Sequence, residues 1–225
     1  MSTPSPSLQT RALLAAGALA ASLAFPPALS AAPKTVDIAT ARSLPLGTVV
    51  AVEGSVTTPS GAFASSFFDE GFGLQDKTGG IYVSTATNPG VAPREKATVT
   101  GQLADSAGLL ILVPASAGDV VPQGTGPAIE PLRVSTGAIG EATEGLIVRV
   151  VGTIVQPVES DLPFGYKVIV DDGTGPIRVF VNTTTGIDVS GLAQGQVIAA
   201  TGFSGQFIDY EIDPRFPADI QVRSH

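Results

Sequence analysis

The sequence contains no cysteine, and its single histidine, His225, is the last residue. The first absence excludes a disulfide framework, a lipidated N-terminal cysteine and a thiolate metal site. With the second, no histidine-dependent mechanism is expected, since a terminal residue is poorly held. No GxxxxGK phosphate loop occurs, "GFSG" (Gly202 to Gly205) lacks the second spacing of a nucleophile elbow, and no DxDxDG ladder is present. Long apolar runs are also scarce. "ALLAAGALAASLAF", after Arg11, is short for a stable membrane span, and it ends in the small residues "PPALSAAP". This pattern is expected for a secretory signal peptide over residues 1–31, with export to the periplasm or the exterior. No stable membrane insertion is expected after cleavage, although an uncleaved anchor is the rival reading.

Beyond the signal there are 20 acidic and 11 basic residues, a net charge of −9 with His225 neutral. Such a field is unfavourable for phosphate backbones. Glycine (26) and proline (18) cut the chain into short, valine-rich pieces, which favours an all-β protein with many turns.

The remainder repeats itself. "TVDIATARSLPLGTVVAVEGSVTTP" from Thr35 aligns without a gap on "RVSTGAIGEATEGLIVRVVGTIVQP" from Arg133, pairing Gly47 with Gly145, Val50 with Val148 and Gly54 with Gly152. The offset is 98 there, 96 between "LQDKTGGIYVS" (Leu74) and "VDDGTGPIRVF" (Val170), and 101 between "TVTG" (Thr98) and "AATG" (Ala199). Small drifts of this kind reflect insertions in surface loops. Two copies are expected, at residues 34–122 and 132–225, joined by a linker at 123–131. Each begins with a long strand that carries an internal glycine (Gly54, Gly152), the mark of a bulge or sharp bend. A hairpin, a connector and two further strands follow. Five strands with a connector after the third describe a Greek-key barrel of the OB type.

The order V-x-G-x-V, then a hairpin through D-x-T-G, then V-x-x-T-G resembles bacterial exported OB-fold domain proteins, of the tandem type associated with extracellular nucleases. The resemblance implies two tandem five-stranded barrels. It leaves the ligand open, because this scaffold serves nucleic acids, oligosaccharides and proteins alike. Arg94 departs from the pattern, standing where the second copy has Gly195.

The acidic glycine-rich loops at Asp76 and Asp171–Asp172 admit two readings, a tight turn or a calcium site. Aspartate and glycine already account for a hairpin turn, whereas calcium needs six or more oxygens. The turn is the reading preferred, with no metal and no cofactor expected. Paired acids such as Asp69 with Glu70, or Asp209 with Glu211, read as solvated loop or strand-face carboxylates rather than a glycosidase dyad. The chain is therefore expected not to be an enzyme.

Ligand is expected instead on the outer face of the second and third strands of each barrel. Strand parity turns Tyr82, Arg178 and Phe180 outward, with Gln75 and Lys167, while Lys77 supplies a cation at the turn. An aromatic beside an arginine on an open sheet suits single-stranded nucleic acid or a sugar ring. Phe63, Phe67 and Phe68 either extend that groove or pack one copy on the other. The alternative function is an envelope or extracellular protein-interaction module, favoured by the acidic balance.

Overall fold

The valine-rich pieces form two successive sets of strands in the computed structural model, which describes residues 33–223. The first set comprises β1 (Thr35–Val36), a single helical turn α1 (Ile38–Arg42), β2 (Val49–Val56), β3 (Phe72–Gln75), β4 (Gly80–Val83), β5 (Glu95–Ser106), β6 (Leu109–Val113) and β7 (Val120–Thr125). The second comprises β8 (Leu132–Arg133), β9 (Ile147–Ile154), β10 (Glu159–Asp161), β11 (Gly165–Asp171), β12 (Ile177–Asn182), β13 (Val197–Phe207), β14 (Asp209–Asp213) and β15 (Ile220–Val222).

Hydrogen bonding closes each set on itself. The first runs β2-β3-β4-β6-β5 and returns to β2; the second runs β9-β11-β12-β14-β13 and returns to β9. In both, the third strand of the barrel lies parallel to the fifth, β4 beside β6 and β12 beside β14. This is the OB-fold barrel. The expected signal peptide lies outside the described residues, as does His225. The segment read as a linker opens as strand, since β7 pairs with β5 as far as Thr125 opposite Glu95.

The internal glycines mark the point where one strand changes partner. β2 pairs with β5 along most of its length and turns to β3 at Ser55 and Val56. A methyl group on Gly54 would lie 2.8 Å from the Gln75 carbonyl oxygen, and one on Gly152 would lie 2.8 Å from that of Asp171. Only hydrogen fits where the first strand crosses the second, so both copies carry glycine there.

Alternation then fills each barrel. Val50, Val52, Leu74, Ile81, Val83 and Val99 pack inside the first, and Val148, Val150, Val168, Val170, Val179 and Ile198 inside the second. Each such side chain contributes roughly 1.5–3 kcal/mol by leaving water. A third apolar cluster belongs to neither interior. Phe63, Tyr82, Leu109 and Ile111 from the first set meet Ile147 and Phe203 from the second, and residues 33–223 lie within one compact unit.

The D-x-T loops are the same turn twice, with an added role. Asp76 Oδ1 accepts from the Thr78 and Gly79 amides and the Thr78 hydroxyl, while its Oδ2 accepts from the Ile38 amide at the start of α1. Asp172 repeats this, with Oδ1 taking the Thr174 amide and hydroxyl and Oδ2 taking the Thr136 amide at the start of a short helical turn, Thr136–Ala138. Each carboxylate thus holds a hairpin and caps the helical turn that opens its copy. These hydrogen bonds, from Thr174 first and then Thr136, lower the Asp172 pKa to about 2. Among the described residues, no cluster of three or more His, Cys, Asp or Glu is placed to hold a metal ion.

Candidate ligand-binding face

The second and third strands of the two barrels are equivalent, yet their outer faces end up in different surroundings. In the first barrel the outward positions are Gly71, Gly73, Tyr82 and Ser84; the offset of 96 places Lys167, Ile169, Arg178 and Phe180 there in the second. Small residues on the first face leave room for the other barrel. Gly73 stands opposite Tyr82 in the β3–β4 ladder, and a methyl on Gly73 would lie 3.0 Å from the Phe203 ring.

Tyr82 therefore corrects the expectation. Parity does turn it out of its own barrel, but the second barrel covers it and it is fully buried. Its ring stacks at 5.9 Å on Phe63 and meets Phe203 edge-on at 6.0 Å. Its hydroxyl donates to Asp69 Oδ1 at 2.8 Å. Burial first, then the Asp69 charge, push the phenol pKa well above its ordinary value. Asp69, read as a solvated loop acid, also accepts from the Ser65 amide and hydroxyl and from Ser84.

Gln75 is likewise drawn into the joint, where its Oε1 accepts from the Ile147 amide at 3.0 Å. Lys77 stays exposed at the hairpin tip. The two line a groove with Glu130 and Arg133, and neither Lys77 nor Arg133 forms a salt bridge among the described residues.

The remaining three expected residues share one surface on the second barrel. β11 and β12 pair Lys167 with Phe180 and Ile169 with Arg178, and all four are half-buried. The cations are already engaged. Lys167 Nζ lies 3.3 Å from Asp161 and 3.6 Å from Glu159. Arg178 Nε donates to Glu211 at 2.7 Å, and its Nη2 donates to the carbonyls of Phe207 and Asp209. Glu211 is not the solvated strand-face acid expected, because it is buried beneath Arg178. Burial raises its pKa against the opposing pull of Arg178. Asp213, two residues on, is also buried, with Asn182 Nδ2 donating to it at 3.1 Å. Burial, then the Glu211 charge, hold its pKa well above the carboxylate range.

Between these strands and the β13–β14 turn lies a shallow groove lined by Lys167, Ile169, Arg178, Asp209, Tyr210 and Ile139. Ile139 and Tyr210 were not among the expected site residues. Tyr210 has the parity of the core residue Ile212, and only its place at the end of the barrel brings it to the groove; its hydroxyl reaches Glu141 Oε2 at 3.3 Å.

No protein-family model matches the chain, and no curated protein does. Solved structures with similar folds include a murine DNA-binding protein bound to double-stranded DNA, 15% identical with a TM-score of 0.40, covering 78% of this chain and 97% of that one. Tetrameric p202 HIN2 is 13% identical with a TM-score of 0.38, covering 81% and 99%. The p204 HINb domain is 14% identical with a TM-score of 0.33, covering 79% and 96%. At such identities and TM-scores, nothing about a ligand passes from them to this chain.

Proposed function

We propose that the chain is an exported, non-catalytic binding protein that holds an oligosaccharide across the outer face of β11 and β12. The observation that carries this reading is the neutralisation of the cations there. Lys167 is engaged by Asp161 and Glu159, and Arg178 by Glu211. A nucleic-acid phosphate arriving at this face would meet carboxylates, and it would have to displace existing ion pairs. A sugar ring has no such conflict. Its C–H faces can lie on Phe180, Ile169 and Tyr210, and its hydroxyls can donate to Asp209, which is exposed.

Nucleic acid is the second reading, and it belongs to a different place. The groove with Gln75 carries Lys77 and Arg133, two cations without a salt bridge among the described residues.

Binding of fluorescent oligosaccharides and of single-stranded DNA, each measured by anisotropy at low and high salt, separates the two. Sugar binding that ignores salt and is lost in Phe180→Ala supports the first reading. DNA binding that weakens with salt and is lost in the Lys77→Ala, Arg133→Ala double variant moves the function to the other groove. If no oligosaccharide binds, the first reading fails.

A further inference from the structure

Docking of the barrels brings four loops together that are far apart in sequence. In the loop between β2 and β3, the Phe68 ring lies 6.4 Å from that of Phe164 in the β10–β11 turn. The same loop reaches the β5–β6 turn, where the Ser66 amide donates to Ser106 at 2.9 Å. That turn in turn meets the β13–β14 turn, since the Ile208 amide donates to the Ala107 carbonyl at 2.8 Å and Gly108 bridges Phe207. Both barrels thus contribute to one continuous rim.

The rim is apolar and exposed. Phe67, Phe68, Leu162, Phe164, Phe207 and Ile208 all lie on it, with Phe68 79% and Ile208 73% accessible. It is also held in unfavourable backbone conformations. Four non-glycine residues among those described have positive φ, and three of them, Phe68 (55°), Ala107 (55°) and Ile208 (66°), are in these loops. A β-branched isoleucine in the left-handed region is costly, and an exposed side chain returns nothing to the fold for it. Turn geometry alone favours glycine at Ile208, and solubility favours a polar residue.

Charge identifies the partner. The loop segments 61–72, 105–108, 159–165 and 207–209 contain six acidic residues and no lysine or arginine. Asp69 is turned inward to Tyr82, and Glu159 and Asp161 pair with Lys167 of β11. This leaves Glu70, Asp105 and Asp209 exposed and without a salt bridge among the described residues. Exposed aromatics bordered by carboxylates complement an apolar segment flanked by cations. We propose that this four-loop rim docks a cationic, amphipathic segment of a partner protein. It does not rest on the sugar-binding reading: the two share Asp209 at the groove's edge, but the apolar anchors of the rim lie in the loops and not on the β11–β12 face.

The probe is a labelled synthetic amphipathic lysine–leucine peptide, with a glutamate–leucine peptide of the same pattern beside it, titrated at low salt. The lysine peptide is expected to bind and the glutamate peptide not to. Phe68→Ser should weaken binding by about tenfold or more, as central aromatic anchors do. Ile208→Gly should do the same while leaving the melting temperature unchanged or higher, because it relieves the left-handed strain. Val121→Ser, exposed on β7, should change nothing. Failure of the lysine peptide to bind, equal binding of the two peptides, or unchanged affinity in both Phe68→Ser and Ile208→Gly overturns the proposal. So does self-association by sedimentation that Phe68→Ser abolishes, because the occupant is then a second copy, or peptide-independent binding to phosphatidylcholine vesicles, because it is then a membrane.

Discussion

Gly80 and Gly145 meet backbone to backbone where the two barrels join. A methyl on Gly80 would lie 1.9 Å from the Gly145 carbonyl oxygen, and one on Gly145 would lie 2.3 Å from Gly80. Gly145 also has φ of +82°, so it is constrained twice over. Backbone offers no flexible side-chain end to swing aside. Gly80→Ala is therefore expected to force the barrels apart locally, at a cost of about 1–3 kcal/mol by analogy with overpacked cores. In a domain pair of this size that is a fall in melting temperature of roughly 2–12 °C, measurable by calorimetry. An unchanged melting temperature would mean that the joint is loose enough to absorb a methyl group.

Arg94 and Gly195 show a second consequence of the repeat. Arg94 has φ of +75° and its counterpart Gly195 has φ of +90°. Their amides donate to the equivalent carbonyls, Val56 and Ile154. The turn is thus identical, and only the first copy builds it with a side chain. A left-handed residue costs about 1–2 kcal/mol, part of which glycine gives back through the entropy of its unfolded chain. Arg94→Gly is expected to stabilise by about 0.5–1 kcal/mol. Urea denaturation at constant m-value tests this, and the reverse exchange, Gly195→Arg, should destabilise.

Asp213 makes stability depend on pH in an unusual direction. Its pKa in the folded protein is raised well above 3.8, by burial first and then by the Glu211 charge. The unfolded chain therefore releases this proton at lower pH than the folded one. Stability from this group is complete below the unfolded pKa, and it is lost as pH rises through the folded value, by at most about 1.4 kcal/mol per pH unit. Asp213→Asn keeps an oxygen to accept from Asn182 and removes the charge. The variant should melt higher than the wild type at about pH 8, and the gap should close towards about pH 4. A constant gap across that range would mean that Asp213 stays ionised throughout.

The barrels were legible in the sequence because their marks are residue types that recur. Alternating valines and the D-x-T-G turns are read within a few residues, Gly54 and Gly152 stand out inside a strand although the carbonyl that requires them lies on the next one, and each occurs twice. The site was less legible, since parity shows which way Tyr82 points but not what lies there. A signal did exist in the comparison of the copies. Where the second has Lys167, Ile169 and Phe180, the first has Gly71, Gly73 and Ser84, and a strand face stripped of side chains is one that another body can cover. The acids misled for a different reason. Glu211 and Asp209 look alike in sequence, and only the parallel pairing of β12 with β14, which sets Arg178 against Glu211, decides that one is buried and the other free.

Glu144 depends on one cation, Arg42. Its side chain is wholly buried in the joint, 3.1 Å from Arg42, with Oε1 also accepting from the Leu110 amide. Its other oxygen has no hydrogen-bond partner among the described residues. Burial raises its pKa even with Arg42 beside it. Arg42 also donates to the Gly80 carbonyl and pairs with Glu141, so Arg42→Ala removes the cation from three acceptors. Breaking one side of a buried ion pair costs about 3–5 kcal/mol. Much of that cost is the stranded carboxylate rather than the lost attraction, so Glu144→Gln should be milder alone and should recover part of the stability when added to Arg42→Ala. Denaturation of the two single variants and the double variant tests this. If the double variant is as unstable as the sum of the singles, the two residues are not coupled and Glu144 is not stranded by loss of Arg42.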